Sequence, residues 1–195
     1  MTILSPPRHP LITAALDDAR QWCAGHVIDE RPALAHAARV AVVLGEHVPT
    51  ADPQLVAAVL LHDAPDLAPP EVDLDGLLGE RYGPEVVRIV RALEAEHVAM
   101  DSANPTVTVG DVPVVLASSA DKIVALTSLR RRAQRSGDPQ GFFAVRPGLV
   151  RLLPHFADVA RASVGIVPTS MTSHLDRVLT ALVDACRTGE PDHRR

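Results

Sequence analysis

The chain has only two cysteines, Cys23 and Cys186, and they stand far apart. That excludes a disulfide framework and a thiolate zinc site, and it fits a reducing compartment. The start, MTILSPPRHP, lacks a basic segment followed by an apolar one, and no later apolar run reaches the roughly 18 residues that a membrane span needs. The expectation is a soluble, cytoplasmic protein with no membrane partner. Net charge is modest at -5, with a pI near 6.0. This argues against a surface built to hold a nucleic acid polymer, so any nucleotide partner is small. Lysine is almost missing: Lys122 is the only one, every other basic residue being arginine. Strand-like alternation is confined to TVTVGDVPVV, residues 106–115, where it is brief and meets a proline; it reads as a loop entering a helix. Neither a repeat of about 20–50 residues nor a long low-complexity block is present.

What remains is globular composition, 47% hydrophobic and 22% charged over 195 residues. This is enough chain to bury one substantial core, and too apolar to stay disordered. Proline in the first turn and glycine near the end punctuate a series of helices. They are expected over 11–24, 32–47, 53–63 with Asp52 as cap, 74–82, 84–97 and 112–135. Helical spacing continues over 148–164, interrupted by Pro154, and over 171–187. The fold class expected is all-α: a compact single-domain helical bundle over 1–195, with a motif-bearing core at 11–135 and C-terminal helices at 148–188. In the last helix Leu175, Val178, Leu179 and Leu182 form a stripe that either covers the core or makes a homodimer contact.

Residues three and four apart share a helix face. In the second helix the stripe of Val40 and Val43 or Leu44 lands one turn earlier on His36. In the third, Leu55 and Val59 lead to His62 and then Asp66, within LLHDAPD at 60–66. In the long helix, Val114 and Ala117 lead to Asp121. Three helices thus aim ionisable groups inward. Buried carboxylates are normally paired, ligated or protonated, and a divalent cation is the simplest shared partner. Two imidazoles and two carboxylates suit manganese, iron, zinc or magnesium rather than calcium. Neighbouring His62 and Asp63 can converge on one ion where Pro65 ends the helix.

The order His, His-Asp, Asp resembles the HD superfamily of metal-dependent phosphohydrolases. More closely, PALAHAARVAVVL at 32–44, AVLLHD at 58–63, RYGPEVVRIV at 81–90 and SADK at 119–122 resemble segments of the RelA/SpoT-type hydrolase domain and the stand-alone small alarmone hydrolases. Their counterparts there are the segment around the first histidine, AALLHD, FG-x-x-V-x-x-LV and LADK. Where that family has Glu then Asp after His-Asp, this chain has Asp66 and Leu67. Where it has Asn-x-Arg, the chain has Ala125, Leu126 and Thr127, and Ala33 replaces a tyrosine.

The resemblance implies an HD-type fold and a divalent metal, manganese first, held by His36, His62, Asp63 and Asp121. It also implies removal of the 3′-pyrophosphate from guanosine tetra- or pentaphosphate. Asp66 and Asp63 would serve as the catalytic carboxylates that orient or deprotonate the attacking water. Lys122 and Arg31 are the substrate-binding candidates. Lys122 would meet a phosphate or the outer surroundings of the metal, and Arg31 would touch a phosphate or stack on a base. Arg130, Arg131, Arg132 and Arg135 read as cations complementing the end of the long helix. His26, His47, His97, His155 and His174 read as structural or exposed. Two alternatives stay open: another HD nucleotide phosphohydrolase, such as a deoxynucleotidase or phosphodiesterase, and a non-catalytic nucleotide-binding module.

Overall fold

A computed structural model of the protein describes residues 2–28, 30–102, 105, 107, 108 and 110–187. The architecture is all-α. In chain order the helices are α1 (Pro10–Trp22), α2 (Ala33–His47), α3 (Pro53–Leu60), α4 (Ala64–Leu67), α5 (Leu74–Tyr82) and α6 (Pro84–Ala99). Then follow α7 (Val112–Arg135), α8 (Pro139–Ala144), α9 (Pro147–Arg151), α10 (Leu153–Ala162) and α11 (Thr169–Arg187). Among the described residues the only strands are a two-residue antiparallel pair, β1 (Val27–Ile28) with β2 (Arg31–Pro32), which leads directly into α2.

Proline and aspartate start the helices, as their chemistry directs. Pro10, Pro53, Pro84, Pro139 and Pro147 each open a helix, where the missing N–H costs nothing. Asp52, Asp73, Asp111 and Asp138 cap α3, α5, α7 and α8 by accepting from backbone N–H groups in the first turn. Gly83 joins α5 to α6 at φ 91°, left-handed geometry, and a Cβ there would come within 2.7 Å of Gln54 Nε2.

Helix α7 is the axis of the bundle. Helices α2, α6 and α11 pack against it, and α3 bridges α2 and α6 while α1 lies on α3. By length and composition α7 is apolar enough to cross a membrane, contrary to the expectation that no segment is. Yet 72% of its most apolar window is buried inside the protein, as befits a central core helix. The stripe on α11 packs into the core: Leu175, Val178, Leu179 and Leu182 are all buried.

Most expected helices appear within a residue or two of their bounds. The third does not: it ends at Leu60 rather than continuing to 63, and His62 and Asp63 occupy the turn before α4. The segment 148–164 divides into α9 and α10, with Pro154 in the first turn of the latter. Helix α8 was not anticipated. In the 106–115 loop, Thr106 and Val109 lie outside the described residues; Val107 and Thr108 are irregular, and α7 begins at Val112.

Candidate functional site

Asp121, in the middle of α7, is the hub. Its carboxylate is 5% exposed. Oδ1 lies 3.2 Å from His36 Nε2 on α2 and 3.7 Å from His62 Nε2 in the α3–α4 turn. Oδ2 lies 3.3 Å from His97 Nε2 on α6 and 3.8 Å from Lys122 Nζ. Burial by itself would raise its pKa. The hydrogen bonds of His36 and His97, the close approach of His62 and the charge of Lys122 more than reverse this and hold the carboxyl well below its usual range.

His62 is placed by the way α3 ends. Its Nδ1–H donates to Val59 O at 2.7 Å, so the side chain closes a carbonyl that the terminating helix leaves open. This fixes the ring. Nε2 then faces Asp63 Oδ1 at 3.3 Å and Asp121 Oδ1 at 3.7 Å, without a hydrogen bond of its own. Asp63 Oδ2 is likewise buried and unpartnered. Burial would lower the His62 pKa, but the Asp63 and Asp121 carboxylates and the Val59 carbonyl outweigh it and push it up to about 9. A buried nitrogen between two carboxylates demands a positive charge: a proton in the metal-free protein, or a cation in its place.

Ligand atoms of His36, His62 and Asp121 all lie within 4.8 Å of one another, and all three residues are buried. Asp63 adjoins this trio through its approach to His62. Mixed imidazole and carboxylate donors at this spacing, with orphaned lone pairs among them, fit a divalent transition-metal ion. Three of the four ligand candidates named from the sequence, His36, His62 and Asp121, come together, and Asp63 lies beside them through His62.

The other sequence candidates are placed differently. Asp66 is exposed on α4 and outside the trio, because the helix that would have carried it inward stops at Leu60. Lys122 is 2% exposed and turned away from solvent: its Nζ donates to Glu96 Oε2 at 3.0 Å, and Ser118 Oγ donates to the same oxygen at 2.7 Å. This places its Nζ 3.8 Å from Asp121 Oδ2, behind the trio rather than in the open cavity. Arg31 is exposed on β2, at the rim of a cavity of about 320 Å³ that also reaches His36.

That cavity is the second half of the site. Arg31, Arg39, Arg130, Arg131 and Arg135 line it, with Thr127 and His174 among the other walls. Arg135 pairs with Glu30 at 3.3 Å, and Arg132 binds the same carboxylate at 3.0 Å, tying the β1–β2 turn to the end of α7. Among the described residues, Arg31, Arg39, Arg130 and Arg131 form no ion pair, whereas Arg20, Arg81, Arg88, Arg91 and Arg161 each have a carboxylate partner.

Sequence reasoning missed His97 and the arginine cavity. His97 had a usable signal, since the buried stripe of α6 runs Val86, Val90, Leu93 and one turn later meets His97. The arginines had none, because a cluster at a helix end looks the same whether it complements the dipole or lines a cavity.

No family model matches the chain, and no curated protein does. Among solved structures it is similar to one described as a metazoan ortholog of SpoT that hydrolyzes ppGpp and plays a role in starvation responses. The TM-score is 0.61 and the identity 18%, over 90% of this chain and 97% of that one. The likeness concerns the fold: the compact all-α bundle expected from the sequence is the one found.

Proposed function

We propose that the protein is a metal-dependent phosphohydrolase that removes the 3′-pyrophosphate of guanosine tetra- or pentaphosphate. The observation that carries this reading is the junction of two chemically distinct halves at His36: a buried imidazole and carboxylate trio on one side, and on the other a cavity with four guanidinium groups that form no ion pair among the described residues. Guanidinium forks without carboxylates are receptors for phosphate oxygens. The fold likeness to a protein described as hydrolysing ppGpp supports the choice of substrate.

His36, His62, Asp63 and Asp121 would hold the ion, with manganese the preferred metal. When bound, it supplies Lewis acidity toward a phosphoryl oxygen and an acidified water. Asp63, beside His62, accepts a proton or orients that water. Asp66 follows three residues later on α4, and its exposure gives it access to a water entering from solvent. Arg31 and its cavity neighbours orient the nucleotide through its phosphates, so that the 3′ group lies toward His36. Lys122 holds charge near Asp121 while paired to Glu96.

Incubating the manganese-loaded protein with guanosine tetraphosphate should release pyrophosphate, and Asp63→Ala should abolish release and most metal occupancy. Leu67, partly buried against the core where the resembled family has a second acid, favours the rival reading of a nucleotide sensor. That rival gives ligand-induced thermal stabilisation with no pyrophosphate. A panel including deoxynucleotides and cyclic nucleotides separates the remaining hydrolases.

A further inference from the structure

We infer that His97 is a positioning residue of the metal centre, holding the outer oxygen of Asp121 so that the inner one stays turned toward His36 and His62. The inference rests on the metal reading above. It adds a residue that the His, His-Asp, Asp pattern does not contain.

The geometry divides the Asp121 carboxylate in two. Oδ1 faces the buried imidazoles of His36 and His62, while Oδ2 faces His97 Nε2 at 3.3 Å and Lys122 Nζ at 3.8 Å. An ionised carboxylate only accepts, so the His97 Nε2 that meets Oδ2 carries the proton. His36 and His62 offer their nitrogens to the same space as Oδ1, whereas His97 approaches from the other oxygen. Its ring centroid is 6.0 Å from that of His62. Its hydrogen bond is therefore compatible with an ion on Oδ1, and it is the kind of contact that fixes the orientation of a ligating carboxylate.

The local sequence makes this contact part of a clasp. Consecutive residues of α6, Glu96 and His97, grip consecutive residues of α7, Lys122 and Asp121, in matched charge: Glu96 takes Lys122 at 3.0 Å and His97 takes Asp121. Ser118 Oγ, one turn earlier on α7, donates to Glu96 and completes the grip. Leu93, buried one turn before on α6, sets the rotation that brings both side chains inward. Without His97, Oδ2 would keep only the more distant Lys122, which is itself engaged by Glu96, and the carboxylate could rotate away from the trio.

The test compares His97→Ala, which removes the donor, with His97→Gln, whose amide N–H can stand in for Nε2–H. Manganese affinity is read by titration calorimetry, and the number of ligating nitrogens by the absorption of the cobalt-substituted protein. The expected result is a loss of affinity of about 10- to 100-fold in His97→Ala, largely restored in His97→Gln, with an unchanged cobalt spectrum in the restored variant. Thermal melting of the metal-free variants checks that the fold is kept. Wild-type affinity in His97→Ala overturns the inference. So does failure of His97→Gln to restore affinity together with loss of an imidazole signature, since that outcome makes His97 a direct ligand. If the wild-type protein itself binds neither manganese nor cobalt, the metal reading fails first and the inference falls with it, a result distinguishable from a defect confined to the His97 variants.

Discussion

The surroundings of Asp121 and the arginine cavity meet at His36, yet they handle charge in opposite ways. The Asp121 carboxylate is answered within the fold by imidazoles from two helices and a turn and by Lys122, with Glu96 and Ser118 behind it, while His62 Nε2 and Asp63 Oδ2 beside it are left without a hydrogen bond. In the cavity, Arg31, Arg39, Arg130 and Arg131 stand open to solvent or nearly so, and among the described residues no carboxylate pairs with them. Uncompensated charge is tolerable there because water solvates it, whereas in the core it would cost several kcal/mol per ion. The contrast separates two jobs. On the proposed reading, the buried half would hold a small cation, and the open half would take an anion that brings its own charge.

The strongest way to break this division is Asp121→Asn. It removes the hub while leaving the cavity untouched, so metal occupancy by elemental analysis should fall to background. Turnover should fall by roughly 10³-fold, the scale lost when a group organising the reacting centre is removed. Nucleotide binding measured without turnover should survive, weakened but present. Retention of metal by this variant would mean that the buried trio is not the centre.

Lys122→Met tests the compensation from behind. With its ammonium gone, the Glu96 carboxylate, 10% exposed, keeps only Ser118 and its other polar neighbours against the loss of its counter-ion. Breaking one side of such a buried pair costs about 3–5 kcal/mol, which for a chain of this size lowers Tm by roughly 6–20 °C. Adding Glu96→Gln should recover part of that loss, because the uncompensated charge leaves with it. A double variant no more stable than the single one would place the damage in packing rather than in charge.

In the open half, Arg130→Ala combined with Arg131→Ala should raise KM for a guanosine polyphosphate by about 10- to 100-fold, the scale of one or two charge-assisted hydrogen bonds. Metal content should not change. The wild-type KM should also climb with salt more steeply than that of the variant, since exposed charges are the screened ones. Equal salt dependence in both proteins would detach these arginines from the substrate.

The same two regions show why parts of the site were legible in the sequence. His36 and Asp121 were found because each interrupts an apolar stripe on a regular helix, and regular helices place side chains by arithmetic. His62 was found by that arithmetic too, although its actual position comes from a helix ending, with Nδ1–H capping Val59 O. Asp66 shows the limit: three residues of turn at 61–63 are enough to carry it from the inner face to the surface. The clasp of Glu96 and His97 obeyed the stripe rule, but the stripe of α6 was not followed to its end. The cavity was illegible for a different reason. Its walls come from β1, β2, α2, α7 and α11, and no single segment carries its pattern.

The smallest expected effect sharpens the comparison through protons. In the metal-free protein the folded pKa of His62 is about 9, raised from 6.5 because the Asp63 and Asp121 carboxylates overcome the burial that would lower it. The stabilisation that this proton brings is fully present below pH 6.5 and disappears as pH rises through 9. Asp121, held well below its usual range, contributes stability above its unfolded value near 4 and loses it only in strong acid. Metal-free protein should therefore melt highest at about pH 5–6.5 and lose a few degrees of Tm by pH 9. Manganese competes with the His62 proton for the same nitrogen, so its affinity should rise over that interval, and binding at pH 7.5 should release protons, seen as a buffer-dependent calorimetric enthalpy. The cavity's guanidinium groups stay charged throughout, and its His174 is held below the ordinary imidazole range by burial and then by the nearby Arg177 and Arg39 charges, so it is mostly neutral over this interval. Polyphosphate binding to the metal-free protein should change far less between pH 6.5 and 9, and an equal pH slope for both ligands would erase the boundary between the two halves.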